Sequence, residues 1–231
     1  MDFLVDGFLS ALLLIGSLDP GLIGVIWVSL KVSSTSTLIA SVVGVPGGFL
    51  IAFGTFSGKR LVITSLNTLL SLPTVAVGLC VYAFICRRGI FGEFDLLYTQ
   101  TAIIIGQVIL IIPIVATFTI SAVSRVDDRY PKTALTVGAN AVQTAWVIVR
   151  EVRFGIAAAI IAAFGRVIAE VGISMMLGGN AKGFTRTMTT AMALEYDKGQ
   201  FGSSVALGIA LLTVSFAVNV FFNYFQGKVR E

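Results

Sequence analysis

Apolar residues run along this chain in long blocks rather than in alternation. Val32–Phe53, Leu61–Cys86, Leu96–Ser124 and Phe201–Gly227 contain no Asp, Glu, Lys or Arg. Each is long enough for a helix across the hydrocarbon core, which takes roughly 20 apolar residues. A fifth block, Phe154–Leu177, is interrupted only by Arg166 and Glu170. Blocks of this length favour helices over barrel strands, whose polarity alternates with a period of two. The pattern predicts an all-α integral membrane protein, a polytopic bundle with five spans in residues 20–231.

The first 19 residues differ. Phe8–Ile15 is apolar but too short to span, and Asp2 and Asp6 give the start the wrong sign for a signal peptide. Asp19-Pro20 then punctuates the chain. Asp2–Ser17 reads as a helix in or near the membrane interface, with a sixth, short span as the alternative.

Composition agrees with the membrane reading and removes several chemistries. Only 12% of residues are charged and the mean hydropathy is +0.95, against about 25% charged in a soluble domain. There is no histidine, and the two cysteines, Cys80 and Cys86, share one apolar run. Zinc sites and Cys-His or Ser-His catalysis are implausible. No Gly-x-x-x-x-Gly-Lys-[Ser/Thr] phosphate loop occurs, so the chain cannot supply an ATPase. Neither a cofactor nor a metal is expected.

The net charge of +4 follows membrane topology rather than a nucleic-acid surface. One side of a five-span chain would hold Lys59, Arg60, Arg125, Arg129, Lys132, Arg150, Arg153, Lys228 and Arg230. The other would hold Arg87, Arg88, Lys182, Arg186 and Lys198. Positive residues concentrate in cytoplasmic loops, so residues 125–153 and the C-terminus are expected in the cytoplasm.

Within that cytoplasmic segment, Gly138-Ala139-Asn140 reads as a corner between two short helices. Glycine accepts the left-handed cap geometry, and Asn is a good N-cap. Val142, Ala145, Trp146 and Val149 then share one helical face. Patterning alone allows an ordinary interfacial helix.

Residues 132–140, with Trp146 and Arg150-Glu151-Val152-Arg153, resemble the cytoplasmic EAA loop of type-I ABC importer permeases. Gly138 matches the motif's glycine and Ala134 its second alanine, whereas Lys132 replaces the glutamate and Thr133 the first alanine. Ser29–Ser33, Gly44–Gly48, Phe56–Arg60 and Ser71–Val75 extend the resemblance over the permease core. It implies a type-I importer fold in the inner membrane, passive in itself. Two copies would form the pathway, two ABC ATPases would drive it and an extracytoplasmic binding protein would deliver cargo. Ala134, Gly138, Ala139, Asn140, Val142 and Trp146 would then form the ATPase-coupling element.

Two further features bear on the cargo. Arg166 and Glu170 stand at i and i+4 inside a predicted span, where they share a face and can pair. A charge near the bilayer centre costs at least about 2.5–3.5 kcal/mol on insertion scales, so such residues face the bundle interior or a wet cavity. Arg166 could lie on an anion path oriented by Glu170, or the pair could lock the bundle. Val171–Leu194 holds no carboxylate but contains Asn180, Lys182, Thr185, Arg186, Thr187 and Thr189. Donors and positive potential without carboxylates suit an oxyanion, although an ordinary solvated loop can look the same.

Gly165-Arg166, Glu170-Val171-Gly172 and Met176–Asn180 together resemble the molybdate, tungstate and sulfate branch. Gly183–Thr187 and Thr189-Thr190-Ala191 are most similar to its tungstate-type subgroup. The resemblance implies oxyanion import, tungstate first, with molybdate or sulfate as alternatives. Arg166, Glu170, Asn180, Thr185, Arg186, Thr187 and Thr189 would form the pathway or its gate. An ion-coupled secondary transporter would show repeated halves and several embedded carboxylates; Glu170 alone is embedded here. An intramembrane enzyme would need a cluster of catalytic groups in the spans.

Overall fold

The computed structural model describes residues 9, 12–13, 16–17, 19–127, 129–136 and 138–227. The expected interfacial helix at 1–19 falls outside them except at isolated positions, as do Lys228 and Arg230.

Helix α1 (Pro20–Phe53) opens with Asp19, whose Oδ1 accepts the Leu22 N–H at 2.9 Å, and with Pro20 in the first turn. It starts well before the expected Val32, because the single cation Lys31 does not stop a helix with an apolar stretch before it. Its 34 residues measure about 51 Å, more than the roughly 30 Å hydrocarbon core. Lys59 closes its far end, donating from Nζ to the carbonyls of Ala52 (2.6 Å) and Gly54 (3.0 Å).

The block expected as one span at 61–86 is two helices, α2 (Lys59–Leu69) and α3 (Thr74–Ile85), bent by 100°. Proline disfavours the helical conformation at the residue before it and offers no N–H; Leu72-Pro73 lies in the non-helical turn between the two, whereas Pro46 and Pro113 sit inside continuous helices. A 3₁₀ turn at Gly92–Phe94 leads to α4 (Gln100–Val123), which Thr99 caps through the Ala102 N–H at 3.2 Å. Two short helices follow, α5 (Arg129–Thr136) and α6 (Ala141–Glu151). Next come α7 (Arg153–Ile168) and α8 (Gly172–Gly178), bent by 60°. The expected continuous helix across 154–177 is therefore broken. The chain closes with α9 (Met188–Asp197) and α10 (Phe201–Gly227).

Helices α1, α4 and the α10 segment Phe201–Phe221 are long and apolar enough to cross a membrane, and the two bent pairs raise the count to five if each is one crossing. Helix α4 is central. Gly44 and Gly48 let α1 approach it closely: a Cβ on Gly48 would lie 2.5 Å from the Ala116 carbonyl oxygen. Ala40, Val77, Val81, Leu110, Ile111, Val115, Val167, Ile173 and Leu177 form one core joining α1, α3, α4, α7 and α8. Large apolar side chains such as Leu38, Leu50, Leu212 and Phe216 point outward. In water this would be an aggregation surface; in a bilayer it is the surface that lipid tails cover.

Candidate functional site

The break between α7 and α8 contains Ala169, Glu170 and Val171, with neither glycine nor proline. The Glu170 carboxylate organises it. Oε2 accepts a hydrogen bond from Arg166 Nη1 at 2.6 Å, and Oε1 accepts the Ile173 N–H at 3.2 Å. One oxygen thus holds the last turn of α7 and the other caps the start of α8. Charge-assisted bonds of this kind compensate a carboxylate taken out of water.

The two partners differ in exposure. The Glu170 side chain is 3% exposed and that of Arg166 40%. A guanidinium has five N–H donors, and among the described residues Glu170 is the one hydrogen-bond partner Arg166 has. Most of its donors therefore have no partner among the described residues. The arrangement can hold Arg166 in place and still present it to an anion.

The loop after α8 is compact rather than an open glycine-threonine loop. Asn180 takes a left-handed conformation (φ 52°). Arg186 grips it, with Nε 3.2 Å from Oδ1 and Nη2 3.2 Å from its carbonyl. Thr185 Oγ1 donates to the Gly178 carbonyl at 2.6 Å and accepts the Ala181 N–H at 3.0 Å. Thr187 caps α9 in a reciprocal box with Thr190. Thr189 Oγ1 donates to the Glu170 carbonyl at 2.8 Å. Thr185, Thr187, Thr189 and Thr190 are all buried.

The structure thus joins Arg166, Glu170, Thr187 and Thr189 in one polar network. Asn180, Thr185 and Arg186 form a second, linked through Asn180 Nδ2 and the Thr190 carbonyl at 3.4 Å. The threonine hydroxyls are engaged within the fold, so the free donors here belong mainly to the cations. Lys182 and Arg186 border a cavity of about 490 Å³ that Asp19, Glu195 and Lys198 also line.

Sequence reasoning gave no site role to Ser29, Ser36 or Gln107. Ser29 Oγ accepts the Met188 N–H at 2.7 Å, docking α9 on α1. Ser36 and Gln107 meet in the core. Gln107 was detectable as a large amide flanked by apolar residues inside a charge-free span, with Gln100 at that span's start.

Between α5 and α6 Gly138 has φ +85°, as a left-handed corner requires. Asn140 caps α6 with a reciprocal box to Gln143 (2.8 and 2.9 Å). Thr144, Ile148 and Val152 are buried, the last two against Val123. Val142 and Trp146 are 77% and 70% exposed, and Ala139 is half-buried. The apolar stripe predicted on α6 therefore points away from the chain at Val142 and Trp146. The Ala134 side chain lies outside the described set. Among the described residues no cluster of His, Cys, Asp and Glu could hold a metal ion.

Residues 44–231 match the family described as "Binding-protein-dependent transport system inner membrane component". A tungstate uptake system permease protein, TupB, of Peptoclostridium acidaminophilum is 38% identical over 95% of this chain and 96% of its own length. A probable anion ABC transporter permease protein of Haloferax volcanii is 37% identical, covering 86% of this chain and 88% of that one. The molybdenum transport system permease protein ModB of Escherichia coli K12 is 27% identical over 83% and 89%. Among solved structures, a bacterial ABC transporter that imports alginate matches with a TM-score of 0.76 at 16% identity, over 92% of this chain and 81% of that one.

Proposed function

The chain belongs to the inner membrane components of binding-protein-dependent transport systems, and from that premise we propose that its cargo is a tetrahedral oxyanion, tungstate first. As a member of this family it is a non-catalytic permease subunit that works with a binding protein. Membership displaces the ion-coupled and enzymatic alternatives. The observation that carries the cargo is the 38% identity to a tungstate permease across 95% of the chain. Molybdate is the second reading, favoured by the more distant molybdenum permease.

The site chemistry supports an anion. Arg166 offers unfilled donors beside a neutralising carboxylate. Thr187 and Thr189 brace the Glu170 side of the pair, Asn180 and Thr185 shape the loop joined to them, and Arg186 adds positive potential. The pair carries no net charge, which suits a gate better than a trap: the anion is attracted to the exposed guanidinium without being held by an isolated cation. Two copies of the chain enclose the path. The exposed Val142 and Trp146, on the corner set by Gly138, Ala139 and Asn140, dock a cytoplasmic ATPase, one per copy. Ala134 belongs to the same element.

Reconstitution tests the reading. Proteoliposomes holding two copies of the chain, the ATPase and the binding protein should accumulate tungstate only with ATP inside. Excess molybdate should compete and sulfate should compete weakly. ATP-dependent uptake of another solute class, with no oxyanion uptake, would overturn the cargo assignment.

A further inference from the structure

Gln107 is fully buried in the middle of α4, a helix with no charged residue. A carboxamide has an acceptor and two donors to satisfy, and burying it unpaired would cost free energy. Its Oε1 lies 2.8 Å from Ser36 Oγ on α1, and its Nε2 lies 3.4 Å from the Val167 carbonyl in the last turn of α7. The opposite amide orientation would set Oε1 against that carbonyl, acceptor facing acceptor, so the network fixes which way the group points.

The Val167 carbonyl is the pivot of the α7–α8 break. Helix ends leave their last carbonyls without intrahelical partners. This one accepts the N–H of Ala169 and, at 3.1 Å, the N–H of Glu170. The turn that carries the Glu170 carboxylate is therefore built on the same oxygen that Gln107 holds. Ser36 adds a second condition. Its hydroxyl is 2.8 Å from both Gln107 Oε1 and the Val32 carbonyl, and it has one proton to share between them.

We propose that Gln107 is a positioning residue for the Arg166–Glu170 site: it tethers the break in the α7–α8 span to α4, and through Ser36 to α1. It touches neither the carboxylate nor the guanidinium. It sets where the turn between them sits, so any rearrangement of the break moves against α1 and α4, the most intimately packed helices of the bundle. The functional meaning of that tether rests on the reading of Arg166 and Glu170 as a gate.

The test measures geometry and transport separately. Spin labels at Ala162→Cys on α7 and Met175→Cys on α8, both exposed positions, report the distance across the break. They are placed in the complete transporter with Cys80→Ala and Cys86→Ser. Gln107→Met keeps the length of the side chain and removes both bonds; it should widen the distance distribution at least twofold. Ser36→Ala should widen it less, in the same direction. An unchanged distribution in Gln107→Met overturns the tether whatever Arg166 and Glu170 do. If Gln107→Met fails to assemble, Ser36→Ala decides alone by the same criterion. Uptake by Glu170→Gln tests the gate independently. A widened break in Gln107→Met beside normal uptake in Glu170→Gln keeps the tether and removes the gating role.

Discussion

Glu170 and Arg166 are not equivalent partners, and the difference has consequences. Glu170 is enclosed, whereas Arg166 reaches open space. Removing the arginine strands a buried carboxylate, a loss of about 3–5 kcal/mol in buried pairs. Removing the carboxylate leaves a cation that keeps part of its access to water, and it uncaps the Ile173 N–H. Arg166→Met should therefore lower assembly yield more than Glu170→Gln, and the double variant should recover part of the loss. Yields of the two single variants and the double variant check this; strictly additive effects would separate the pair. The spacing of the two residues was legible in the sequence, and so was their need for each other. The break between them was not. Ala169-Glu170-Val171 has no glycine or proline to announce it, and the capping bond from the Ile173 N–H back to the Glu170 carboxylate is visible only once the chain has turned. Lys59 was read only as a cytoplasmic charge, yet it also caps α1.

Among the elements, glycines mark where helices touch and where the chain turns. A Cβ on Gly48 would meet Ala116 backbone and Thr119, whereas one on Gly47 would meet nothing within 4 Å. Gly48→Ala should destabilise the bundle by about 1–3 kcal/mol, as overpacking does, and Gly47→Ala should be near neutral. Thermal unfolding in detergent compares the two; equal effects would contradict the close α1–α4 contact. At the α5–α6 corner Gly138 has room for a side chain but a positive φ. Gly138→Val should strain the corner by more than about 1 kcal/mol. It should reduce coupling of ATP hydrolysis to uptake without preventing membrane insertion; unchanged coupling would remove α6 from the docking role. The corner itself was legible, because Gly-Ala-Asn states both its turn and its cap. The threonines after α8 were misleading. Their number suggested an open donor-rich loop, but Thr185, Thr187 and Thr189 donate to or cap nearby backbone and side-chain groups, which only the folded loop reveals.

For the whole molecule, orientation and pathway are one question. Cysteine labels at Ser57 and Lys132 should react only from the cytoplasm and a label at Lys182 only from outside; reaction of the last two from the same side would break the topology. The membrane class was legible from charge-free length alone, since nothing else accounts for such runs in a folded chain. The two bends were unequally legible. Pro73 marks one, although Pro46 and Pro113 sit inside continuous helices, while the other depends on a side chain of which the sequence shows only the pairing. The central claim is that Arg166 serves the passage of an oxyanion rather than only the integrity of the bundle. The most direct measurement is tungstate uptake by reconstituted transporters carrying Arg166→Met/Glu170→Gln, the neutral pair of similar size, with ATPase docking measured on the same preparation. Uptake should fall at least tenfold with docking intact. Full uptake by that variant would leave the pair as a lock and contradict the claim.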